Sequence, residues 1–313
     1  MTGAVCTALE SGDATGDEMS LLRNLIWSIP ESTRAVTTLS NYLAHPENTF
    51  LFGSVYADEL WSKVPHLAPL LAQWLRNEHT VNDAARGLAE LGTNASFAVP
   101  LLVETAETGQ ASPPVHPTIN VSYGAGFDHF AMRRIVAIRA LGKIGVTNAA
   151  VMQALNKAAE SGNNELCSAA YLAALQLEVP MTEALQTWAD RWNPFEESSP
   201  QIYRASETLR SFGKLGQKGA PAVSLLNRIA SGVGTNAAAR FDHFEPRQAD
   251  GMRVAAISSL YQIDPGHAAR YVPFLLEQSA NWEAFNLLSQ WRDMREQIVP
   301  PMLEQLNLSL IHI

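Results

Sequence analysis

The 313-residue sequence predicts an all-α protein in which helical pairs lie side by side in a row. Three observations predict it. One amphipathic helix recurs in degraded copies at intervals of a few tens of residues. Several copies close on a glycine. Prolines then sit where a second helix would start. No single pair of this kind can bury its apolar face alone, so recurrence implies stacking of neighbours and not one enlarged core.

Residues 1–19 are small, polar and acidic with no periodic apolar face, and read as a disordered leader. Residues 20–79 are helical in pattern but match the repeat poorly, and are expected to cap the array. The array itself is expected over 80–307, in two tandem blocks, about 80–200 and 201–307. Its first-helix signal is small residues, then Leu, then Gly: Ala85-Arg86-Gly87-Leu88-Ala89-Glu90-Leu91-Gly92, Ala140-Leu141-Gly142-Lys143-Ile144-Gly145, and Leu209-Arg210-Ser211-Phe212-Gly213-Lys214-Leu215-Gly216. Ala lets neighbouring helices approach, Leu and Ile form the buried ridge, and the terminal Gly takes a left-handed cap. Second helices are expected after Pro69, Pro100, Pro273 and Pro300, since proline in a first turn sacrifices no intrahelical bond.

A larger duplication underlies these copies. Arg86-Gly87-Leu88 with Leu91-Gly92, Ala98-Val99 and Leu101-Leu102 realigns on Arg210-Ser211-Phe212 with Leu215-Gly216, Ala222-Val223 and Leu225-Leu226 at one constant interval. Arg134-Ile135, Ala137-Ile138, Leu141 and Ile144 match Arg253-Val254, Ala256-Ile257, Leu260 and Ile263 at a slightly shorter one. Phe127-Asp128-His129-Phe130 returns letter for letter as Phe241-Asp242-His243-Phe244. Each copy carries a long insertion before that tetrapeptide, near 109–126 and 231–240.

The run Arg134-Ile135-Val136-Ala137-Ile138-Arg139-Ala140-Leu141-Gly142-Lys143-Ile144-Gly145 resembles the HEAT-like repeats of bacterial proteins (the PBS-lyase type), in which Arg-x-x-Ala-x-x-Ala-Leu-Gly-x-Ile-Gly precedes a second helix. The aspartate that often follows the glycine in that family is replaced by Val146-Thr147. The resemblance spans about Thr80 to Asn307. It implies a right-handed α-solenoid of antiparallel helix pairs, and a surface for interaction in preference to a defined chemistry. Enzymes built on such repeats use paired His-Glu dipeptides for iron or a basic concave face for DNA. This chain has no His-Glu dipeptide and the opposite charge.

Composition excludes several classes. With 31 acidic against 22 basic residues the net charge is −9, which repels phosphate backbones and anionic membranes. Neither nucleic acid nor membrane is therefore an expected partner. Cys6 and Cys167 lie in unlike contexts and read as free, small apolar side chains. The first twenty residues lack the basic and apolar regions of a signal peptide, and no apolar run approaches the ~20 residues of a membrane span, so a cytoplasmic location is expected. Leu308-Ser309-Leu310-Ile311-His312-Ile313 is the in-frame reading of a transposon-library adapter, so 308–313 is expected to be a non-native tail.

Insertions of this length carry function or lack order more often than short loops do. His beside Asp, screened by aromatics, suits a metal ligand or a proton shuttle, which makes Asp128, His129, Asp242 and His243 candidate metal ligands. The structural reading is that Phe127, Phe130, Phe241 and Phe244 anchor the loops while Asp caps the next helix. Arg133, Arg134 and Arg139, with Arg247 and Arg253 at the later copy, are expected to pair with acidic groups nearby. Trp188, Trp192, Trp282 and Trp291 are expected in the core or at its rim. No catalytic residue and no cofactor is assigned. The expected function is a non-enzymatic scaffold that holds another protein, one with a basic segment, against a helical surface and the two loops. The alternatives are a metal-binding or enzymatic protein using the Asp-His loops, and a regulatory fragment of a larger enzyme.

Overall fold

The computed structural model describes residues 2–11, 25, 32–44, 68–77, 80–109, 129–196, 199–233, 246–278, 282–291, 296 and 300. Among them every regular element is a helix and none is a strand. No described helix is long and apolar enough to cross a membrane. The chain divides into two compact units, Met1–Leu177 and Glu178–Ile313.

Unit 1 opens with α1 (Thr2–Ser11), where the sequence led us to expect a disordered leader. Val5, Cys6 and Leu9 form a buried stripe at helical spacing, and that stripe packs on α2 (Thr33–Ala44). Glu10 fixes the contact: its carboxylate accepts from Arg34 Nη2 at 2.7 Å and from Thr38 Oγ1 at 2.7 Å. Those bonds hold the Glu10 carboxyl below its ordinary range, the Arg34 guanidinium being the larger cause. A stripe this short, broken by Gly3 and Thr7, gives almost no periodic signal, yet two helices that meet along it need no more.

The unit continues with α3 (Ala68–Trp74), α4 (Val81–Leu91), α5 (Val99–Thr108), α6 (His129–Ile144), α7 (Ala149–Ala159) and α8 (Asn164–Gln176). Helix α4 packs on α6 and α6 on α8, while α5 packs on both α6 and α7, and α7 on α8. Because α6 meets α4, α5 and α8, it is buried almost all round: Ile135, Val136, Ala137, Ile138, Ala140, Leu141 and Ile144 are all core. The same holds for α8 from Leu166 to Leu175. A helix enclosed on three sides keeps only a narrow polar strip, which in α6 is left to Arg133, Arg134, Arg139 and Lys143. Ion pairs lace the surface between neighbours, Lys143 with Glu90 and Lys157 with Glu107.

Unit 2 comprises α9 (Glu183–Arg191), α10 (Ser199–Gly213), α11 (Val223–Ala230), α12 (Pro246–Ile263), α13 (Pro265–Ala268), α14 (Val272–Glu277) and α15 (Trp282–Gln290). Helix α12 is its centre and packs on α10, α11, α13 and α15. Trp188 and Trp192 stack at 5.0 Å and are buried, as is Trp291, stacked on Tyr261 at 4.6 Å.

The duplicated sequences fold alike. Gly92 directly follows α4 and Gly216 follows the two-residue turn after α10; both have φ 55, and each opens a seven-residue 3-10 segment, Gly92–Ala98 and Gly216–Ala222. Helices α5 and α11 then start at Val99 and Val223. So the terminal glycine does adopt positive φ, but at Gly92 ψ is −135, outside the left-handed helical well and open to glycine alone. The earlier glycine of the Gly-Lys-x-Gly run has another task. A Cβ on Gly142 would lie 2.7 Å from Ala173 Cα on α8, and one on Gly213 would lie 2.7 Å from Ser259 Cα on α12. Ser259 Oγ donates to Leu209 O at 2.6 Å in the same contact.

Backbone approach this close makes Gly142→Ala and Gly213→Ala overpacked, each expected to cost about 1–3 kcal/mol. Gly251→Ala, inside α12 with open space at its Cβ position, should instead stabilise by about 0.5–1 kcal/mol. Urea denaturation midpoints of the three variants check the opposite signs.

Candidate functional site at the bases of the two insertions

The chain leaves α5 through Gly109, a left-handed residue at φ 65 whose amide donates to Thr105 O at 2.9 Å. It returns at His129, the first residue of α6. The two ends touch. A Cβ on Gly109 would lie 2.8 Å from Phe130 O and 3.1 Å from Phe130 Cα, so only glycine admits this approach. Arg134 locks it by donating from Nε to Ala106 O at 2.9 Å. Ala106 is in the last turn of α5, where carbonyls have no intrahelical partner and the helix dipole is negative. A guanidinium there satisfies both.

Unit 2 repeats the device. Helix α11 ends at Ala230, Gly232 follows at φ 75, and Arg253 Nε donates to Ala230 O at 3.1 Å. Ala106 with Arg134 and Ala230 with Arg253 are the corresponding pairs of the duplication. The second clamp is the more enclosed. Arg253 Cζ lies 3.5 Å from the centre of the Phe274 ring, and its Nη1 is 3.8 Å from Asp250. Burial pushes the Arg253 guanidinium down, opposed chiefly by the Asp250 charge. A third arginine treats α9 in the same way: Arg228 donates to Ala189 O at 2.7 Å, Trp192 O at 2.8 Å and Asp190 O. The expectation that Arg134 would meet an acidic group in a neighbouring repeat is thus corrected. Its Nε bonds a backbone carbonyl, which satisfies a group that water would otherwise have to reach.

Of the residues singled out in the sequence, Phe127, Asp128, Phe241, Asp242, His243 and Phe244 lie outside the described residues, as does the side chain of His129. Phe130 is described. Its backbone anchors the insertion against Gly109, but its ring is 52% exposed and sits 5.6 Å from Arg133 Cζ. Half of the ring is open to the surface. The two tetrapeptides also differ in register. In sequence Phe130 stands four residues before Arg134, whereas Phe244 stands nine before Arg253. The identical letters are therefore spaced differently from the two clamping arginines.

Among the described residues no group of three or more His, Cys, Asp or Glu side chains is placed to hold a metal ion. The described Asp–His hydrogen bond lies elsewhere, where sequence reading did not look. Asp264 caps α13 by accepting from the His267 amide, and its Oδ2 is 2.7 Å from His267 Nδ1. The spacing Asp-Pro-Gly-His, with proline in the first helical turn, was the available signal for that cap. Cys6 and Cys167 are free and buried. Burial pushes the Cys167 thiol up, while Sγ contacts Ala159 O at 3.3 Å. No family model, curated protein or solved structure matches this chain.

Two outcomes follow from this geometry. Arg134→Ala and Arg253→Ala each leave a helix-terminal carbonyl unpaired and should cost about 1–3 kcal/mol by denaturation. The Asp264 carboxyl is held below the ordinary carboxylate range, first by the His267 amide and then by the imidazole. Its capping contribution is therefore complete above the ordinary Asp value and is lost as pH falls through the lower folded value. An NMR titration of the His267 amide should show this acid transition in the wild type and not in Asp264→Asn.

Proposed function

We propose that the chain is a right-handed α-solenoid of HEAT-like helical hairpins, and that it works as a non-enzymatic, cytoplasmic scaffold binding another protein through its two insertions. The serial packing within each unit supports the first half: α4 on α6 on α8 in one, α10 on α12 on α15 in the other. The second half is carried by Phe130. An aromatic ring held at the surface, where both ends of an insertion are fastened by glycine contact and an arginine, is a rigid anchor of the kind that dominates interface energy. The net charge of −9 favours a partner with a basic segment.

The test replaces residues 111–127 by a short Gly-Ser linker, alongside Phe130→Ala in the intact chain. Both variants should keep the wild-type circular dichroism and melting temperature. Partners recovered by affinity capture with the wild type should bind at least tenfold more weakly to either variant. Undiminished binding would end this reading. Stoichiometric metal in the purified protein, lost in the His129→Ala, His243→Ala double variant, would replace it with a metal-binding one.

A further inference from the structure

We propose that unit 2 carries a separate docking surface, formed by Tyr203, Trp282 and Phe285, for a short peptide segment in which an arginine lies beside an apolar residue. This surface is independent of the insertions and of the function assigned to them.

The starting observation is an aromatic in the wrong place. Trp74, Trp188, Trp192 and Trp291 are all buried, but Trp282 is 71% exposed. Phe285, one helical turn along α15, is 41% exposed, and the two rings lie nearly parallel with centroids 6.4 Å apart. Between them in sequence, Glu283 accepts from Arg210 Nη2 at 2.7 Å, which ties this face of α15 to α10. Tyr203 lies two turns before Arg210 on the same stripe of α10, about 10 Å along the axis, and is 67% exposed. Trp282 and Phe285 thus stand on either side of Glu283 in sequence, and Tyr203 stands exposed two turns along α10 from its partner Arg210. Tryptophan, tyrosine and arginine are the residue types that concentrate binding energy at interfaces.

Size and charge select the occupant. Three side chains offer an apolar patch on the order of 300–600 Å², within the range of a functional site. A stable dimer needs about 800 Å² from each copy, more than this patch supplies. The positive charge of Arg210 is already engaged by Glu283. Glu207, between Tyr203 and Arg210 on the stripe, is exposed and in no ion pair among the described residues. Ring faces are negative, and a planar guanidinium can stack on one while forking onto a carboxylate. An incoming arginine is matched by Trp282 and Glu207 together, and an adjacent apolar side chain by Phe285.

Random peptides displayed on phage, selected on the full chain and counter-selected on Trp282→Ala, test this. Enriched peptides should carry arginine next to an apolar residue. Their synthetic forms should bind Trp282→Ala and Tyr203→Ala at least tenfold more weakly, and Glu207→Gln severalfold more weakly. Replacing the peptide arginine by citrulline should abolish binding. The substituted positions are exposed, and circular dichroism verifies that each variant is folded; should one variant not be, the other two carry the comparison. Failure to enrich any peptide that discriminates against the variants overturns the proposal. So does enrichment of peptides without a cation. Self-association of the wild type that is lost in Trp282→Ala overturns it in favour of a second copy.

Discussion

The interaction on which the rest of this structure depends is an arginine laid on the carbonyls that end an earlier helix. Arg134 does this for α5, Arg253 for α11 and Arg228 for α9. Short helices have a large share of their backbone in unsatisfied ends. Where such an end is half buried, water cannot serve each carbonyl, and a side chain from the neighbour must. Arginine suits the task because its charge opposes the negative end of the dipole and its fork reaches more than one oxygen. Arg228 uses that capacity in full, with three carbonyls on one guanidinium.

Close contact between helix axes is the complementary constraint. Alanine and glycine line the meeting faces, and at Gly142 and Gly213 the approach leaves no room for even one further carbon. Dispersion and apolar burial reward such contact only if nothing protrudes. The enclosed helices α6, α8 and α12 accordingly carry small residues and aliphatics on most faces.

How much of this was legible depends on what each residue can signal. The all-α class was, because periodic apolar residues, glycine stops and proline starts recur together. The partner of Arg134 was not: a charged side chain suggests an acidic one, whereas a carbonyl acceptor exists at every residue and leaves no mark in the letters. Gly142 and Gly145 show the same limit. Both are one letter, but one is a contact and the other a turn at φ 78. Helix α1 was missed because its buried stripe is three residues long. At the candidate site, the repeated Phe-Asp-His-Phe drew attention to the two insertions, but its copies stand at different distances from Arg134 and Arg253. Matching letters inside an insertion do not mark the clamps at its ends.

That difference in register has a physical reason. Closing a loop costs entropy that grows only with the logarithm of its length, about 0.6 kcal/mol for each doubling. Once glycine and arginine fix the two ends, residues can be gained or lost between them at small cost, while any change in the clamp itself exposes a helix terminus. After duplication, the bases are therefore constrained and the intervening chain is free to diverge. The corresponding pairs Ala106–Arg134 and Ala230–Arg253 keep nearly the same bond, 2.9 and 3.1 Å, although the stretches they enclose differ in length and composition. A chain arranged in this way can change the sequence of either insertion without changing how its helices pack.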